Sequence, residues 1–182
     1  MRPSGAGPTG SLDDAAGVLA GAYRHVKVKT GKGANHARQV AGILAEAGCD
    51  ERVQVAGLLH DVVEDTPRTV EDIRDQFGPA VAALVAAVTE DATIDKYRER
   101  KQALREQVVR GGPDAIDIAL ADKIASLRHA LTTHTPLAKR KLAHYGMTVA
   151  MSADARHPDL ARQAEALLAA YSAGRDGSAP VG

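Results

Sequence analysis

His60, Asp61, Glu64 and Asp65 lie within LLHDVVEDT, residues 58–66, an otherwise apolar stretch. An imidazole and a row of carboxylates in such company need a physical reason. A buried carboxylate without a partner costs several kcal/mol or is forced neutral. His36 and Asp122 pose the same question from far away in the chain, each on the apolar stripe of its own helical segment. A single cation would satisfy His36, His60, Asp61 and Asp122 together. Nitrogen and oxygen ligands without a thiolate suit manganese, iron or zinc.

Taken singly, these residues carry much less. A lone histidine on an apolar helix face reads as a satisfied core residue. Asp122 can pair with Lys123 or Arg128, although sequence neighbours point in different directions on a helix. Glu64 and Asp65 read as an ordinary acidic helix end, and Cys49, beside a turn, as a small buried or half-buried residue and not a ligand. The constellation carries the argument.

Helices must position these groups. Apolar spacing predicts a first helix over 12–26 and a second over 36–47, with His36, Val40, Ile43, Leu44 and Ala47 on one face and Gly48 closing it. Asp50 caps a third, predicted to run to about Val63. Thr69 opens a short helix that Gly78 ends, and Pro79 starts the next. A charged helix over 95–110 follows, then one from Asp114 to Leu131 that is apolar on most sides, one reaching about 153, and a last one from Pro158. No stretch reads as a strand. The expected fold is all-α, a compact multi-helix bundle with a metal site in its core.

The chain has 182 residues, one cysteine, and 23 basic against 23 acidic side chains. That length suits one domain with a real core. The balanced charge argues against nucleic acid or membrane as a partner. The single cysteine fits a reducing compartment, and no apolar run approaches the roughly 18 residues of a membrane span. A soluble, cytoplasmic protein is expected, its oligomeric state undetermined by sequence. The Gly/Pro/Ser-rich ends, residues 1–11 and 172–182, are expected to be disordered tails around a domain over 12–171.

His36, the pair His60-Asp61 and Asp122 match the H…HD…D pattern, and the chain resembles the HD-domain metal-dependent phosphohydrolases. HDVVED at 60–65, ADKIASLR at 121–128 and VTEDATIDKYRERK at 88–101 resemble in particular the SpoT/RelA-type hydrolase branch with its small alarmone hydrolases. The resemblance implies release of the 3′-pyrophosphate from guanosine tetra- or pentaphosphate, commonly with Mn²⁺. It implies His36, His60, Asp61 and Asp122 as metal ligands, and Glu64 and Asp65 as the pair that activates or orients the attacking water. If the third helix persists, each lies one turn beyond a ligand and can face the metal.

A substrate so negative needs cations. Lys27, Lys29 and Lys32 stand before His36, where the family carries a basic pair. Arg100 and Lys101 lie in the ERK triplet, and Lys141 matches a later basic position. The charged helix also reads as a solvated face laced with ion pairs. Two departures concern the nucleotide. GKGANHARQV lacks the family's Tyr-Ile pair before the first histidine and its proline after it, and Ser126 replaces an asparagine as the ribose or phosphate contact. Another nucleotide substrate, such as NADPH or a deoxynucleotide, and an inactive nucleotide-binding regulator are therefore the alternative readings. The intact ligand set with both Glu64 and Asp65 speaks against inactivity. A synthetase is not expected, since the chain ends before a second catalytic domain could fit.

Overall fold

The computed structural model describes residues 10–24 and 33–175. Among these the elements are helical: α1 (Leu12–Ala22), α2 (Gly33–Glu46), α3 (Glu51–Leu59), α4 (Val62–Asp65), α5 (Val70–Val88), α6 (Tyr97–Gly111), α7 (Pro113–Thr132), α8 (Lys139–Val149), a 3₁₀ turn (Ser152–Asp154) and α9 (Pro158–Arg175). The all-α expectation holds for them. None of the described helices is long and apolar enough to cross a membrane.

Local chemistry sets the helix starts. Ser11 with Asp14, and Thr69 with Asp72, form capping boxes that satisfy otherwise unpaired backbone N–H groups at α1 and α5. Asp50 caps α3 by accepting from the Val53 N–H at 3.0 Å. At the predicted break, Gly78 takes φ 84°, ψ 168°, so α5 is two helical pieces that Pro79 restarts. Gly112 (φ 84°) likewise ends α6 before Pro113 opens α7.

The third predicted helix is shorter than expected. Its regular part stops at Leu59, and α4 begins again after Asp61. The His60 imidazole explains the interruption: Nδ1 donates to the Gly57 carbonyl at 2.8 Å and so competes for the oxygen that a continuing helix would offer the Asp61 N–H. The first helix ends at Ala22 and not near 26, α2 starts three residues earlier than predicted, and α8 stops at Val149 before the 3₁₀ turn.

Helix α7 is the axis. It is buried almost continuously from Asp114 to Leu127 and packs against α2, α3, α5, α6, α8 and α9. Its apolar residues Ile118, Leu120, Ala121, Ile124 and Leu127 are fully enclosed, each such side chain worth about 1.5–3 kcal/mol on burial if large. The closest partners, α2 and α3, meet at Gly57, where an added Cβ would run into Leu44 Cδ1 in the packed core.

A polar tie secures the start of α9. His157 Nδ1 lies 2.6 Å from Asp117 Oδ2 and 3.4 Å from Cys49 Sγ, and the His157 N–H donates to Asp117 Oδ1. Burial, then the charge of Asp117, pushes the Cys49 thiol up to about 12. With the imidazole committed to Asp117, this trio reads as a structural link between the α2–α3 turn, α7 and α9.

Candidate active site

Three elements bring the ligand-type residues together. Helix α2 supplies His36, the C-terminus of α3 supplies His60, and the middle of α7 supplies Asp122, all buried. One donor atom from each lies within 4.8 Å of the other two. His36 Nε2 is 2.9 Å from Asp122 Oδ1, and the two imidazole rings meet edge-on with centroids 5.4 Å apart. Asp61 stands beside this trio, its Oδ2 3.1 Å from His60 Nε2.

The tautomer of His60 follows from its neighbour. A carbonyl only accepts, so Nδ1 carries the proton donated to Gly57 and Nε2 presents its lone pair to the site. A lone pair and a carboxylate oxygen at 3.1 Å need a proton or a cation between them. This donor set, imidazole nitrogens and carboxylates without a thiolate, fits a divalent metal, and the Gly57 carbonyl fixes the ring as ligand-orienting groups do.

Lys123 completes the surroundings. Its Nζ pairs with Asp122 Oδ2 although the residues are adjacent, so sequence neighbours do meet here, through the reach of the lysine side chain. Ser126, one turn on, donates to Asp122 Oδ1 at 3.3 Å. Its hydroxyl therefore faces the carboxylate.

A cavity of about 250 Å³ opens beside these groups. Its lining includes His60, Asp61, Glu64 and Asp122 together with Lys101, Lys123, Lys141, His144 and Tyr145. A second cavity, about 460 Å³, adjoins His36 and is lined by Asn35, Gln39, Ser126, Lys141 and Tyr145 among others. Lys141 and Tyr145 belong to both walls.

The two predicted water-handling carboxylates part company. Glu64 lines the cavity, where its Oε1 accepts from the Glu90 N–H at 2.6 Å. Although Glu64 keeps open surface, the protein crowded around its carboxyl, ahead of the charges of Asp61 and Glu90, raises its pKa to about 7. Asp65 instead accepts from Tyr23 Oη at 3.0 Å and is not among the residues lining that cavity. The break after His60 explains the difference, since the two carboxylates no longer continue the helical face of α3. Burial, then Asp65, raises the Tyr23 hydroxyl well above its ordinary pKa.

The predicted cations divide as well. Lys27, Lys29 and Lys32 lie outside the described residues. Lys101 reaches the cavity and pairs with Glu90 Oε1. Arg100 is occupied elsewhere: Nε holds Glu90 Oε2 at 2.8 Å, and one terminal nitrogen donates to the carbonyls of Ile94 and Asp95 at 2.7 and 3.1 Å. It fastens the loop before α6. Burial works against the Glu90 charge, but the Lys101 and Arg100 hydrogen bonds hold its pKa below the ordinary range.

Glu90, Tyr97, His144 and Tyr145 line the cavity without being site candidates from sequence, and Lys123 is a candidate there only as a partner of Asp122. For His144 and Tyr145 a signal existed, because they lie one turn beyond Lys141 on α8. Glu90 lies within the VTEDATIDKYRERK stretch, but its place at the cavity depends on the loop before α6 and on its pairing with Arg100 and Lys101.

The HD domain family matches residues 15–156 of the chain. The guanosine-3′,5′-bis(diphosphate) 3′-pyrophosphohydrolase MESH1 of Drosophila melanogaster is 44% identical over 104 residues, spanning 56% of this chain and 57% of that protein. The human protein of the same name is 41% identical over 122 residues, 64% of this chain and 68% of its own. A solved structure described as a metazoan ortholog of SpoT that hydrolyzes ppGpp and plays a role in starvation responses superposes with a TM-score of 0.72. That match is 29% identical and covers 95% of this chain and 99% of that one. With the matched region taking in His36, the His60-Asp61 pair and Asp122 together, the chain belongs to the HD-domain family.

Proposed function

We propose that the chain is a divalent-metal-dependent phosphohydrolase that removes the 3′-pyrophosphate of guanosine tetra- or pentaphosphate, with manganese as the working ion. The observation that carries the reading is the meeting of the His36, His60 and Asp122 donor atoms within 4.8 Å, with His60 and Asp122 lining a cavity that Lys101, Lys123 and Lys141 also line. The names borne by the fly and human relatives and the structural neighbour support the substrate.

His36, His60 and Asp122 would hold the ion, with Asp61 closing the set. When bound, the ion lowers the pKa of water and polarises the phosphoryl oxygen. Glu64 then accepts the proton of the attacking water. Its pKa of about 7 before the cation binds leaves it basic enough for that task at neutral pH. The water oxygen bonds to the phosphorus next to the ribose 3′ oxygen, the P–O3′ bond breaks, and pyrophosphate separates from GDP or GTP bearing a 3′-hydroxyl. Lys101 and Lys141 would offset the phosphate charge, Lys101 being held in place by Glu90. Lys27, Lys29 and Lys32 remain substrate contacts by the resemblance alone. Asp65 would act at one remove, bracing Tyr23 and the segment that carries Glu64.

One observation favours a second reading, in which the same centre acts on another nucleotide such as NADPH or a deoxynucleotide. Ser126 turns its hydroxyl to Asp122 and has no amide with which to read a nucleoside. The test is turnover of guanosine tetraphosphate, NADPH and deoxynucleotides with manganese, magnesium, iron and zinc. Release of pyrophosphate from guanosine tetraphosphate, fastest with manganese, is expected. Turnover of NADPH or deoxynucleotides alone would transfer the activity to the second reading, and binding of nucleotide without turnover would favour a regulator.

A further inference from the structure

Among the polar side chains at the cavity, His144 plays no part in the mechanism above. It is 2% exposed and sits on α8 one turn beyond Lys141. Its Nδ1 lies 3.0 Å from a terminal nitrogen of Arg105 on α6. Arginine only donates, so Nδ1 must accept, and in a neutral ring the proton is then on Nε2. Nε2 is buried and finds no hydrogen-bond partner among the described residues. A buried N–H without an acceptor is costly, and such groups are concentrated where function requires them.

The surroundings say what the acceptor is. His144 lines the same cavity as Lys101, Lys123 and Lys141 and as His60, Asp61 and Asp122, and Asp122 is the carboxylate whose charge bears on its ring. Burial, then the charges of Lys123, Lys101 and Arg105, lowers the imidazole pKa to about 3, so the ring stays neutral. A neutral donor among cations suits a phosphate oxygen, which accepts without requiring a further positive charge.

We propose that His144, held in its Nε2–H tautomer by Arg105, donates a hydrogen bond to a nonbridging phosphate oxygen of the substrate. This rests on the phosphohydrolase reading, with His144 a substrate-binding residue and Arg105 a positioning residue acting through it.

Nitrogen-15 NMR of the imidazoles in the magnesium-loaded protein tests the tautomer and the contact without turnover. The expected spectrum shows His144 protonated on Nε2, with that N–H signal moving on addition of inorganic pyrophosphate. An Nδ1–H tautomer, or an Nε2–H signal unchanged at the highest pyrophosphate concentration, overturns the proposal. Arg105→Met should release the tautomer and make the Nδ1–H form visible, and a ring still wholly Nε2–H would remove Arg105 from the account.

Kinetics adds a second arm. His144→Leu, which removes the donor, should lower kcat/KM on the order of 10- to 100-fold, the scale of a hydrogen bond to a charged group. His144→Gln, which keeps an N–H at similar reach, should restore most of it. Equal losses in both, with unchanged thermal stability, or no loss in His144→Leu, overturn the proposal. Should the wild-type protein fail to cleave guanosine tetraphosphate, the substrate reading falls while the NMR arm still decides the role of His144.

Discussion

His36 and Asp122, far apart in the chain, meet at 2.9 Å between Nε2 and Oδ1, and this contact joins α2 to the axial helix α7 at the candidate metal site. A divalent cation inserted there binds the folded chain and not the unfolded one, so it must raise stability. Adding manganese or zinc to chelator-treated protein is expected to raise its Tm, and Asp122→Ala should abolish that rise. The same substitution should reduce activity by more than the roughly 10- to 100-fold expected for loss of a supporting group around a metal. A metal-dependent Tm shift surviving in Asp122→Ala would move the ion elsewhere.

Glu64 sets a pH dependence of stability in the metal-free protein. Its folded pKa, about 7, lies above the ordinary 4.5. The protonated carboxyl is favoured by folding, so its contribution is fully present below pH 4.5 and is lost as pH rises through about 7. Glu64→Gln, which mimics the neutral form, should therefore lose less stability than wild type between pH 4.5 and 7.5 in the presence of a chelator. Thermal melts of both proteins across that range check this, and parallel curves would contradict it.

Lys101 and Arg100 are adjacent in sequence and differ in expected effect. Lys101→Met removes a cation from the cavity wall and should lower kcat/KM on the order of 10-fold or more, with little change in Tm. Arg100→Met unfastens the carbonyls of Ile94 and Asp95 and should cost mainly stability. Equal kinetic losses at matched stability would show that Arg100, too, meets the phosphates.

Gly57 has an expected cost of its own. Even a Cβ there would press on Leu44 Cδ1, and the branched side chain of Gly57→Val would also meet Val40. Overpacking of this kind costs about 1–3 kcal/mol. Since α2 and α3 carry His36 and His60, metal affinity should fall along with Tm. Titration calorimetry at a temperature where the variant remains folded separates the two effects, and an unchanged affinity would mean that the helices reopen without disturbing the ligands.

Much of this site was legible because it depends on period. His36 and His60 fall on apolar stripes, and Asp122 sits within a run enclosed on every side, so helical spacing alone turns them inward. The HD doublet and the acidic pair were equally visible. What period does not convey is competition for a single carbonyl. The hydrogen bond from His60 to Gly57 interrupts α3 and sends Asp65 toward Tyr23 while Glu64 stays at the cavity. Nor does it report contacts made across the fold. Arg100 and Lys101 look alike as charges, and only the path of the loop around Glu90 tells them apart. The pairing of Asp122 with Lys123 is among the possibilities the sequence offers, and the length of the lysine side chain overcomes the unfavourable helical direction.

The enclosure of α7 has a consequence for how this chain can change over generations. Each residue inserted into a helix rotates everything beyond it by about 100° relative to what comes before. One residue added between Pro113 and Asp122 would swing the carboxylate away from both histidines, or else drag the sealed segment beyond it out of register with six neighbouring helices. The exposed turn at 133–136, between α7 and α8, carries no such constraint at His36, His60 and Asp122, so lineages descended from this protein should vary in length there and keep the count from Pro113 to Asp122 fixed.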